Sequence, residues 1–486
     1  MPTTRSRALW TFVVTSIALL MVVLDNLVVT TALPVIKEDL GASVEQLEWI
    51  VNAYTLTFAV LLLTGAALGD RFGRRRMFVI GLAIFTGASA LAAMSTSIET
   101  LIMARALQGE GGAIVVPLTL TLLSAAVPAE RRGVALGAWG AVGGLAVALG
   151  PIVGGAIVEG ISWHWIFWLN VPIGLVLLPF AFLRLRESRG PSDKLDLPGL
   201  VLVSLGLLGV VWGVVEGNAQ GWTSPPIVAS IGLGILLLIG FAFWEGRAPA
   251  PMLPLRFFKS RAFSMANLSS LLMYFGMFGS VFLLSQFLQT VQGYSPFQAG
   301  LRVLPWTIAP IFVAPIAGAM SDRVGGGLLM GIGLSMQAIG LAWLGLVVTP
   351  TVPYETLIIP FILSGVGMGL FFAPVANVVL SAVRPEEEGQ ASGANNAIRE
   401  VGGVFGVAIL AAIFLARGDY FPPEAFVAGL QPATLVGAAF VAVGAVAAFA
   451  IPKLRRMAHP EMQPEAAPIG DGPAEGGQPL GAPSAD

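Results

Sequence analysis

Cysteine is absent from this chain of 486 residues, and its only two histidines are His164 and His459. The lack of cysteine excludes disulfides, thiol catalysis and cysteine-ligated metals. Two histidines leave almost nothing from which to build a histidine metal site. No segment has the Gly-x4-Gly-Lys-Ser/Thr pattern of a nucleotide-binding loop, so ATP bound to this chain is excluded as an energy source. We therefore expect no metal and no cofactor.

Charge is also scarce. Charged residues make up 11% of the chain, against about 25% in a typical soluble protein. The 26 basic and 28 acidic residues give a net charge of −2, so no basic surface for nucleic acid is expected. Hydrophobic residues account for 56% of the chain, and the mean hydropathy is +0.83. This composition predicts a polytopic membrane protein.

Apolar runs long enough to cross a hydrocarbon core of about 30 Å recur along nearly the whole sequence. We predict fourteen helical spans, at 10–34, 47–68, 77–95, 100–124, 134–158, 165–184, 198–216, 226–244, 264–289, 300–320, 328–348, 355–381, 394–416 and 432–452. The first run is too long for a signal peptide, lacks a small-residue cleavage site and contains Asp25.

Lysine and arginine are distributed unevenly between the two sets of loops. With both termini in the cytoplasm, 21 of the 26 basic residues fall on cytoplasmic segments, and only Lys37, Arg302 and Arg417 fall outside. This asymmetry predicts a multi-pass protein of the cell (inner) membrane with cytoplasmic termini. Residues 453–486 are rich in Pro, Gly, Ala and Glu, which predicts a disordered cytoplasmic tail.

The chain contains a diverged copy of itself. Residues 126–138 match 382–394 at six positions with an offset of 256, and 69–74 match 321–326 in Asp, Arg and Gly with an offset of 252. We therefore predict a six-helix bundle at 8–190, a two-helix insertion with flanking cytoplasmic loops at 191–262, and a second six-helix bundle at 263–452. Parallel halves with a substrate site between them are a transporter architecture.

The loop after span 2 contains Gly69, Asp70, Arg71, Gly73 and Arg74. We expect its glycines to let the turn close and spans 2 and 3 approach each other. Asp70 stands beside the positive N-terminus of span 3 and within reach of the arginines. The order Gly-x-x-x-Gly-Asp-Arg-x-Gly-Arg resembles the signature loop of the major facilitator superfamily, and the resemblance extends over about residues 8–452. Asp322 and Arg323 occupy the matching positions of the second half.

Several segments resemble the fourteen-span drug/proton antiporters of that superfamily. They are 24–34 in span 1, 105–113 in span 4, 162–174 before span 6, 292–305 before span 10 and 395–403 in span 13. The resemblance implies an all-α fold in which two six-helix bundles rock around a central cavity, with two inserted helices.

Span 5 contains Gly150, Pro151, Gly154 and Gly155, which resemble the antiporter motif of exporters, although Ala146 stands where a glycine is usual. The expectation of export rather than uptake depends mainly on this segment. An ordinary kink is the alternative interpretation, because Gly and Pro are common in membrane helices.

Five charged residues fall deep within predicted spans, and one of them is Arg399, which stands beside Glu400. A charge near the bilayer centre costs at least about 2.5–3.5 kcal/mol, so each one requires an explanation. Asp25 in span 1 and Arg105 in span 4 fall at nearly the same depth, which predicts that they face each other and pair. A static structural pair is the alternative to a role in proton coupling, which the resemblance favours.

Glu110 in span 4 and Glu400 in span 13 depart from the family's patterns, so the resemblance assigns them no role. Glu110 lies about 140° around the helix from Arg105 and is not expected to join its pair. An isolated carboxylate in a low-dielectric cavity is suited to carrying a proton. Glu400 has Arg399 beside it and Asn396 one turn back, so a structural network and proton binding are equally supported.

Aromatic and polar side chains in the spans expected to line the cavity are candidates for binding substrate: Trp139, Tyr274, Phe278, Phe371 and Asn396. Aromatic surfaces accommodate varied apolar molecules, and a buried carboxylate favours cations. Packing against lipid or protein is the alternative role for each of them.

These features together predict a proton-coupled multidrug efflux antiporter, not an enzyme, that exports amphipathic or cationic small molecules by alternating access. A dedicated exporter of one metabolite, lipid or siderophore is the alternative. The expected partners are the small-molecule substrate, protons and the lipid bilayer, without nucleic acid, and the sequence does not indicate an outer-membrane or adaptor partner.

Overall fold

The structure is a computed structural model that describes residues 4–127, 129–189, 196–249, 251–384 and 387–452. Its fourteen long helices are α1 (Thr4–Leu40), α2 (Val44–Phe72), α3 (Arg74–Ala93), α4 (Ile98–Ala126), α5 (Ala129–Gly160), α6 (Trp165–Arg184), α7 (Leu197–Gln220), α8 (Pro225–Glu245), α9 (Arg261–Val291), α10 (Pro296–Val324), α11 (Gly326–Val347), α12 (Tyr354–Ser381), α13 (Glu388–Arg417) and α14 (Pro423–Phe449). The predicted tail, 453–486, lies outside the described residues.

Thirteen of these helices are long and apolar enough to cross a membrane over their described lengths, and α5 adds an apolar segment at Leu149–Gly160. The all-helical fold predicted from the sequence is therefore confirmed. Five boundaries differ from the prediction by more than four residues: the starts of α1, α5, α13 and α14, and the end of α1. Helix α14 begins at Pro423 rather than at 432, because a proline suits the first turn of a helix and Pro432 is accommodated inside. Helix α1 continues past Pro34 to Leu40, where Leu33 and Ile36 are completely buried.

The repeat detected in the sequence is visible in the local geometry of α2 and α10. Ser43 and Ser295 begin the two helices, each in a capping box with a glutamine three residues later. Gly73 and Gly325 end them with nearly identical backbone angles, φ 107° and ψ 125° against φ 106° and ψ 125°. Each pair is separated by 252 residues, so both ends of the two helices are built in the same way.

The helix packing repeats as well. Within the first six helices α2 packs on α4, α3 on α4 and α6, and α1 on α5; within the last six α10 packs on α12, α11 on α12 and α14, and α9 on α13. The two sets meet along two equivalent seams, α5 with α10 and α2 with α13. Helices α7 and α8 pack on each other, and α7 lies against both α2 and α13. The insertion therefore covers one of the two seams.

Glycine permits the closest helix contacts, because it brings no Cβ to the interface. A Cβ on Gly65 of α2 would lie 2.4 Å from the carbonyl oxygen of Ala113 in α4, whereas a Cβ on Gly87 of α3 would meet no other atom within 4 Å. The glycines of the α2 end thus serve contact with α4, not with α3 as the sequence predicted.

We predict that Gly65→Val lowers the thermal stability of the protein in detergent, since overpacking of a close contact typically costs about 1–3 kcal/mol. The matched control is Gly87→Val, which should melt close to wild type. Melting followed by size-exclusion chromatography compares the two, and equal stabilities would contradict the close contact of α2 and α4.

Candidate functional site

A cluster of polar side chains is buried inside the first six helices, with Asp25 at its centre. Asp25 Oδ2 accepts a hydrogen bond from Arg105 Nη1 at 2.5 Å. Its Oδ1 accepts from Gln108 Nε2 at 3.0 Å and from Asn170 Nδ2 at 2.6 Å. Gln108 Nε2 also donates to Ser89 Oγ at 2.8 Å. The carboxylate of α1 is thus bound by groups from α4 and α6, and α3 contributes a further contact.

The guanidinium of Arg105 is completely buried. Besides Asp25 it contacts Gln108 Oε1 at 2.9 Å and the Ile50 carbonyl oxygen at 3.2 Å, and it lies 4.2 Å from the centre of the Tyr54 ring. These interactions offset the cost of taking both charges out of water. The pairing expected from the depths of the two residues is therefore present in the structure.

The other two carboxylates stand apart from this pair. Neither Glu110 nor Glu400 takes part in a hydrogen bond or ion pair with any described residue. Glu110 is half-buried and does not contact Asp25, as its position around α4 predicts. It lies on the same face of α4 as Pro117 and Thr121, two and three turns further on. Those two residues line the cavity described below.

The network predicted around Glu400 forms without it. Arg399 donates a hydrogen bond to Asn396 Oδ1, and its guanidinium lies 5.1 Å from the centre of the Tyr274 ring. Glu400 lies within electrostatic range of Tyr54 and of Tyr274. Tyr54 is therefore within electrostatic range of both the Asp25–Arg105 pair in one half and Glu400 in the other.

A cavity of about 980 Å³ opens between the two halves. Its lining comes from the ends of α2, α4 and α8, from the beginnings of α5, α7 and α13, and from the segment before α9. We call the side of the membrane that carries residues 69–74 the loop side. The cavity lies on the loop side, and Asp70 and Arg74 belong to its wall.

The halves are in contact on the side opposite the loop side. Ser285 of α9 donates to the Thr30 carbonyl oxygen of α1 at 3.0 Å, and Glu159 of α5 accepts from Ser295 Oγ at 2.5 Å. A Cβ on Gly155 would lie 2.3 Å from the carbonyl oxygen of Pro296, and one on Gly300 would lie 2.1 Å from that of Pro151. The structure is therefore closed on this side and has its cavity on the other.

The glycines of span 5 have two different partners. A Cβ on Gly150 would lie 2.6 Å from the Cβ of Leu27, and one on Gly154 would lie 2.5 Å from the hydroxyl of Thr31, so both face α1. Gly155 and Pro151 face α10. The segment thus forms contacts within its own half and across the seam.

The predicted substrate residues divide into two groups. Trp139 and Asn396 line the cavity. Tyr274 stacks on Phe278 with 5.4 Å between ring centres, and Phe371 is completely buried beside Phe372. These three aromatic residues pack within the second half and do not belong to the wall of the cavity.

The loop between α2 and α3 is held by charged contacts. Asp70 pairs with Arg74 at 2.9 Å. The N-terminus of α3 is capped by Glu187, whose two oxygens accept from the backbone N–H groups of Arg75 at 3.0 Å and Arg76 at 3.2 Å. Glu187, and not Asp70 as predicted from the sequence, therefore occupies the positive end of α3.

The other predicted residues of the two loops have separate surroundings. Arg71 is exposed, and its guanidinium lies 5.1 Å from the centre of the Phe72 ring. A Cβ on Gly69 would meet the side chain of Leu118 in α4. In the matching loop Arg323 is exposed, and the side chain of Asp322 lies outside the described part of the chain.

The family model described as "Major Facilitator Superfamily" matches residues 15–407 and again residues 266–472. The chain belongs to the Major Facilitator Superfamily. As a member of the superfamily it is a transporter rather than an enzyme, as the sequence predicts, and its apolar helices make it a multi-pass membrane protein.

Similar proteins in the superfamily include the "Tetracenomycin C resistance and export protein" of Streptomyces glaucescens, 34% identical over 86% of this chain and 78% of that protein. The "Multidrug resistance protein Stp" of Mycobacterium tuberculosis (strain CDC 1551 / Oshkosh) is 33% identical over 84% of this chain and 76% of its own length. A crystal structure of the peptide transporter POT in complex with sulfate has the same fold. It covers 93% of this chain and 100% of its own, with 15% identity and a TM-score of 0.65.

Sequence reasoning missed three partners of the Asp25 cluster and two further buried carboxyl groups, Glu48 and Glu245. Gln108 and Asn170 lie inside segments whose resemblance to the family was recognised, and their amides were the available signal. Ser89 gave none. Glu48 is completely buried in α2, and neither of its oxygens has a hydrogen-bond partner among the described residues. Glu48 stands at the edge of a predicted span, where charged residues are common and do not indicate a buried carboxyl group.

We predict that Asp25→Ala destabilises the protein strongly, because removing one partner of a buried pair typically costs about 3–5 kcal/mol. The double variant Asp25→Ala with Arg105→Met should recover part of that loss, since no unpaired charge stays buried. Thermal melting of the two variants in detergent measures the difference. A double variant less stable than Asp25→Ala alone would contradict this account of the pair.

Proposed function

We propose that this transporter is a proton-coupled antiporter that exports amphipathic or cationic small molecules, as in multidrug efflux. The observation that carries the proposal is the buried Asp25–Arg105 pair. It joins α1, which contacts the second half through Thr30, to α4, which lines the cavity. An ion pair at this position links the charge of one carboxylate to the arrangement of both halves.

Orientation and the direction of transport rest on separate support. The excess of basic residues on the loop side favours a cytoplasmic loop side and cytoplasmic termini. In that orientation the cavity of about 980 Å³ faces the cytoplasm and would load substrate there. The names of the two relatives, which refer to resistance and export, support export from the cell across its inner membrane.

Coupling would operate through competition at Asp25. In the closed cluster the carboxylate accepts three hydrogen bonds, and protonation would remove its charge from Arg105. The weakened pair would release α4 from α1 and favour the form that opens outward and discharges substrate. Loss of the proton toward the cytoplasm would restore the pair, so an inward proton gradient biases the switch.

Glu110 and Glu400 are proposed as secondary proton carriers. Neither is neutralised by an ion pair with a described residue, and Glu400 lies within range of Tyr54, which contacts the pair through Arg105. The cavity itself offers Trp139 and Asn396 for substrate. The wall also carries the charged side chains of Asp70, Arg74, Asp196, Glu245, Arg256 and Lys259. A surface that combines an aromatic ring with charges can contact both the apolar and the charged part of an amphipathic molecule.

We predict that Asp25→Asn reduces substrate-driven proton release from liposomes by about 5- to 150-fold. This is the factor that typical coupling free energies between two sites correspond to. Glu110→Gln and Glu400→Gln should cause smaller losses. The exposed Glu355→Gln is the control and should behave as wild type. Coupling that survives the substitutions of Asp25, Glu110 and Glu400 would defeat the proposed mechanism.

We predict that Arg74→Ala slows transport more than it weakens substrate binding, because it removes the ion pair of the α2–α3 loop and leaves Trp139 and Asn396 unchanged. Equilibrium binding and transport are measured on the same preparation. A loss of binding as large as the loss of transport would assign Arg74 to the substrate site instead.

The alternative is a dedicated exporter of a single metabolite, lipid or siderophore on the same scaffold. Efflux assays against a panel of unrelated compounds separate the two. Export of several structurally unrelated compounds supports multidrug efflux, whereas strict selection of one compound would leave only the dedicated exporter.

A further inference from the structure

Glu48 is a buried carboxyl group that the mechanism above does not use. It is 0% exposed, and both of its oxygens lack a hydrogen-bond partner among the described residues. One turn further along α2, Asn52 is also 0% exposed, and its amide nitrogen and oxygen are likewise unpartnered. The Asp25 cluster has no such deficit at its carboxylate, which accepts three hydrogen bonds.

The surroundings of Glu48 do not stabilise a negative charge. Within electrostatic range are Glu45 on its own helix, Glu216 on α7 and Tyr420 after α13. The other charged residues on the elements around this end of α2 are Lys37, Glu38 and Asp39 on α1, Glu99 and Arg105 on α4, and Arg417 and Asp419 at the end of α13.

None of the nearby cations neutralises this carboxyl group. The Lys37 ammonium lies 3.3 Å from the centre of the Tyr420 ring, and Arg105 is bound to Asp25. No ion pair within the described ranges includes Glu48. An ionised carboxyl group buried without a donor or a cation costs several kcal/mol, so in this form of the protein Glu48 carries a proton.

The place of Glu48 in the fold links that proton to the conformation. Helix α2 forms the seam with α13, and α7 covers it. On the side opposite the loop side, Lys37 of the first half contacts the ring of Tyr420 of the second half. The hydroxyl of Tyr420 donates a hydrogen bond to Gln286 of α9, so these contacts close the region. Separation of the halves on that side would break the contact of Lys37 with Tyr420 and admit water to Glu48.

We propose that Glu48 is a second proton-binding site, distinct from the Asp25 cluster, and that the side opposite the loop side closes only when Glu48 is protonated. Acidity on that side therefore favours closure and the return of the cavity to the loop side. The inference rests on the alternating access of the proposed function, but it does not require that Asp25 couples proton movement to substrate.

The absence of cysteine from the native chain allows a single reporter cysteine. Ser285→Cys places it at the contact of α9 with α1, where the native side chain is 5% exposed. An impermeant maleimide is added on the side opposite the loop side. The measurements run from about pH 5 to about pH 8, the range in which buried carboxyl groups titrate. The labelling rate is measured in full-length protein with Glu48 and with Glu48→Gln.

The rate with Glu48 divided by the rate with Glu48→Gln cancels the pH dependence of the thiol itself. We expect this ratio to rise about threefold or more between the lowest and the highest pH. Release of a single proton limits the rise to about tenfold per pH unit. The matched control is Glu45→Gln, which should keep the rise because Glu45 is only half-buried. A ratio that does not change with pH would overturn the proposal.

Infrared spectroscopy of the same proteins tests the proton directly. The C=O absorption of protonated carboxyl groups at neutral pH should contain a component that is present in wild type and in Glu45→Gln and is absent from Glu48→Gln. Identical spectra of wild type and Glu48→Gln would overturn the proposal. Loss of this component when sodium is added at constant pH would overturn it too, because Glu48 would then bind sodium instead of a proton.

The outcomes separate the two proposals. A flat labelling ratio together with lost coupling in Asp25→Asn would overturn the role of Glu48 and leave the antiporter intact. A rising ratio together with normal coupling in Asp25→Asn would support Glu48 and overturn the mechanism through Asp25.

Discussion

The exclusion of water from the interior of the first six helices is the constraint on which the Asp25 cluster depends. A carboxylate and a guanidinium placed there must satisfy each other, and the remaining hydrogen-bonding capacity must be met by neighbours. Gln108, Asn170 and the Ile50 carbonyl meet most of it from three helices, and Arg105 Nη2 has no hydrogen-bond partner among the described residues. Because the groups come from different helices, a change in the charge of Asp25 alters contacts between helices rather than within one.

The same constraint distinguishes the charges of this protein by their surroundings. Asp25 has a cation and two amides, Glu400 stands near two tyrosines, and Glu48 has no donor at all among the described residues. Burial is comparable for Asp25 and Glu48, so the difference in protonation argued above comes from their neighbours. A description of depth in the membrane would not separate them.

Much of the fold was accessible from the sequence, because membrane helices require long apolar runs and the loops carry the repeat. The known rise per residue of a helix places Asp25 and Arg105 at nearly the same depth, and this equal depth was enough to predict their contact. The capping of α3 by Glu187 was not accessible, because it joins segments more than a hundred residues apart. Nor was the burial of Tyr274 and Phe371, because aromatic residues in a span face cavity, protein or lipid with the same local pattern.

The inserted helices break the two-fold relation between the halves. Helix α7 lies over α2 and α13, and Asn218 ties it to the carbonyl oxygen of Ala412 at 2.6 Å, whereas no such pair of helices covers α5 and α10 in the part of the chain that the structure describes. Lipid tails consequently reach one inter-bundle groove and are kept from the other. The protein thus has two different sides within the plane of the bilayer. A hydrophobic molecule dissolved in the leaflet contacts both bundles at once only along the seam of α5 with α10.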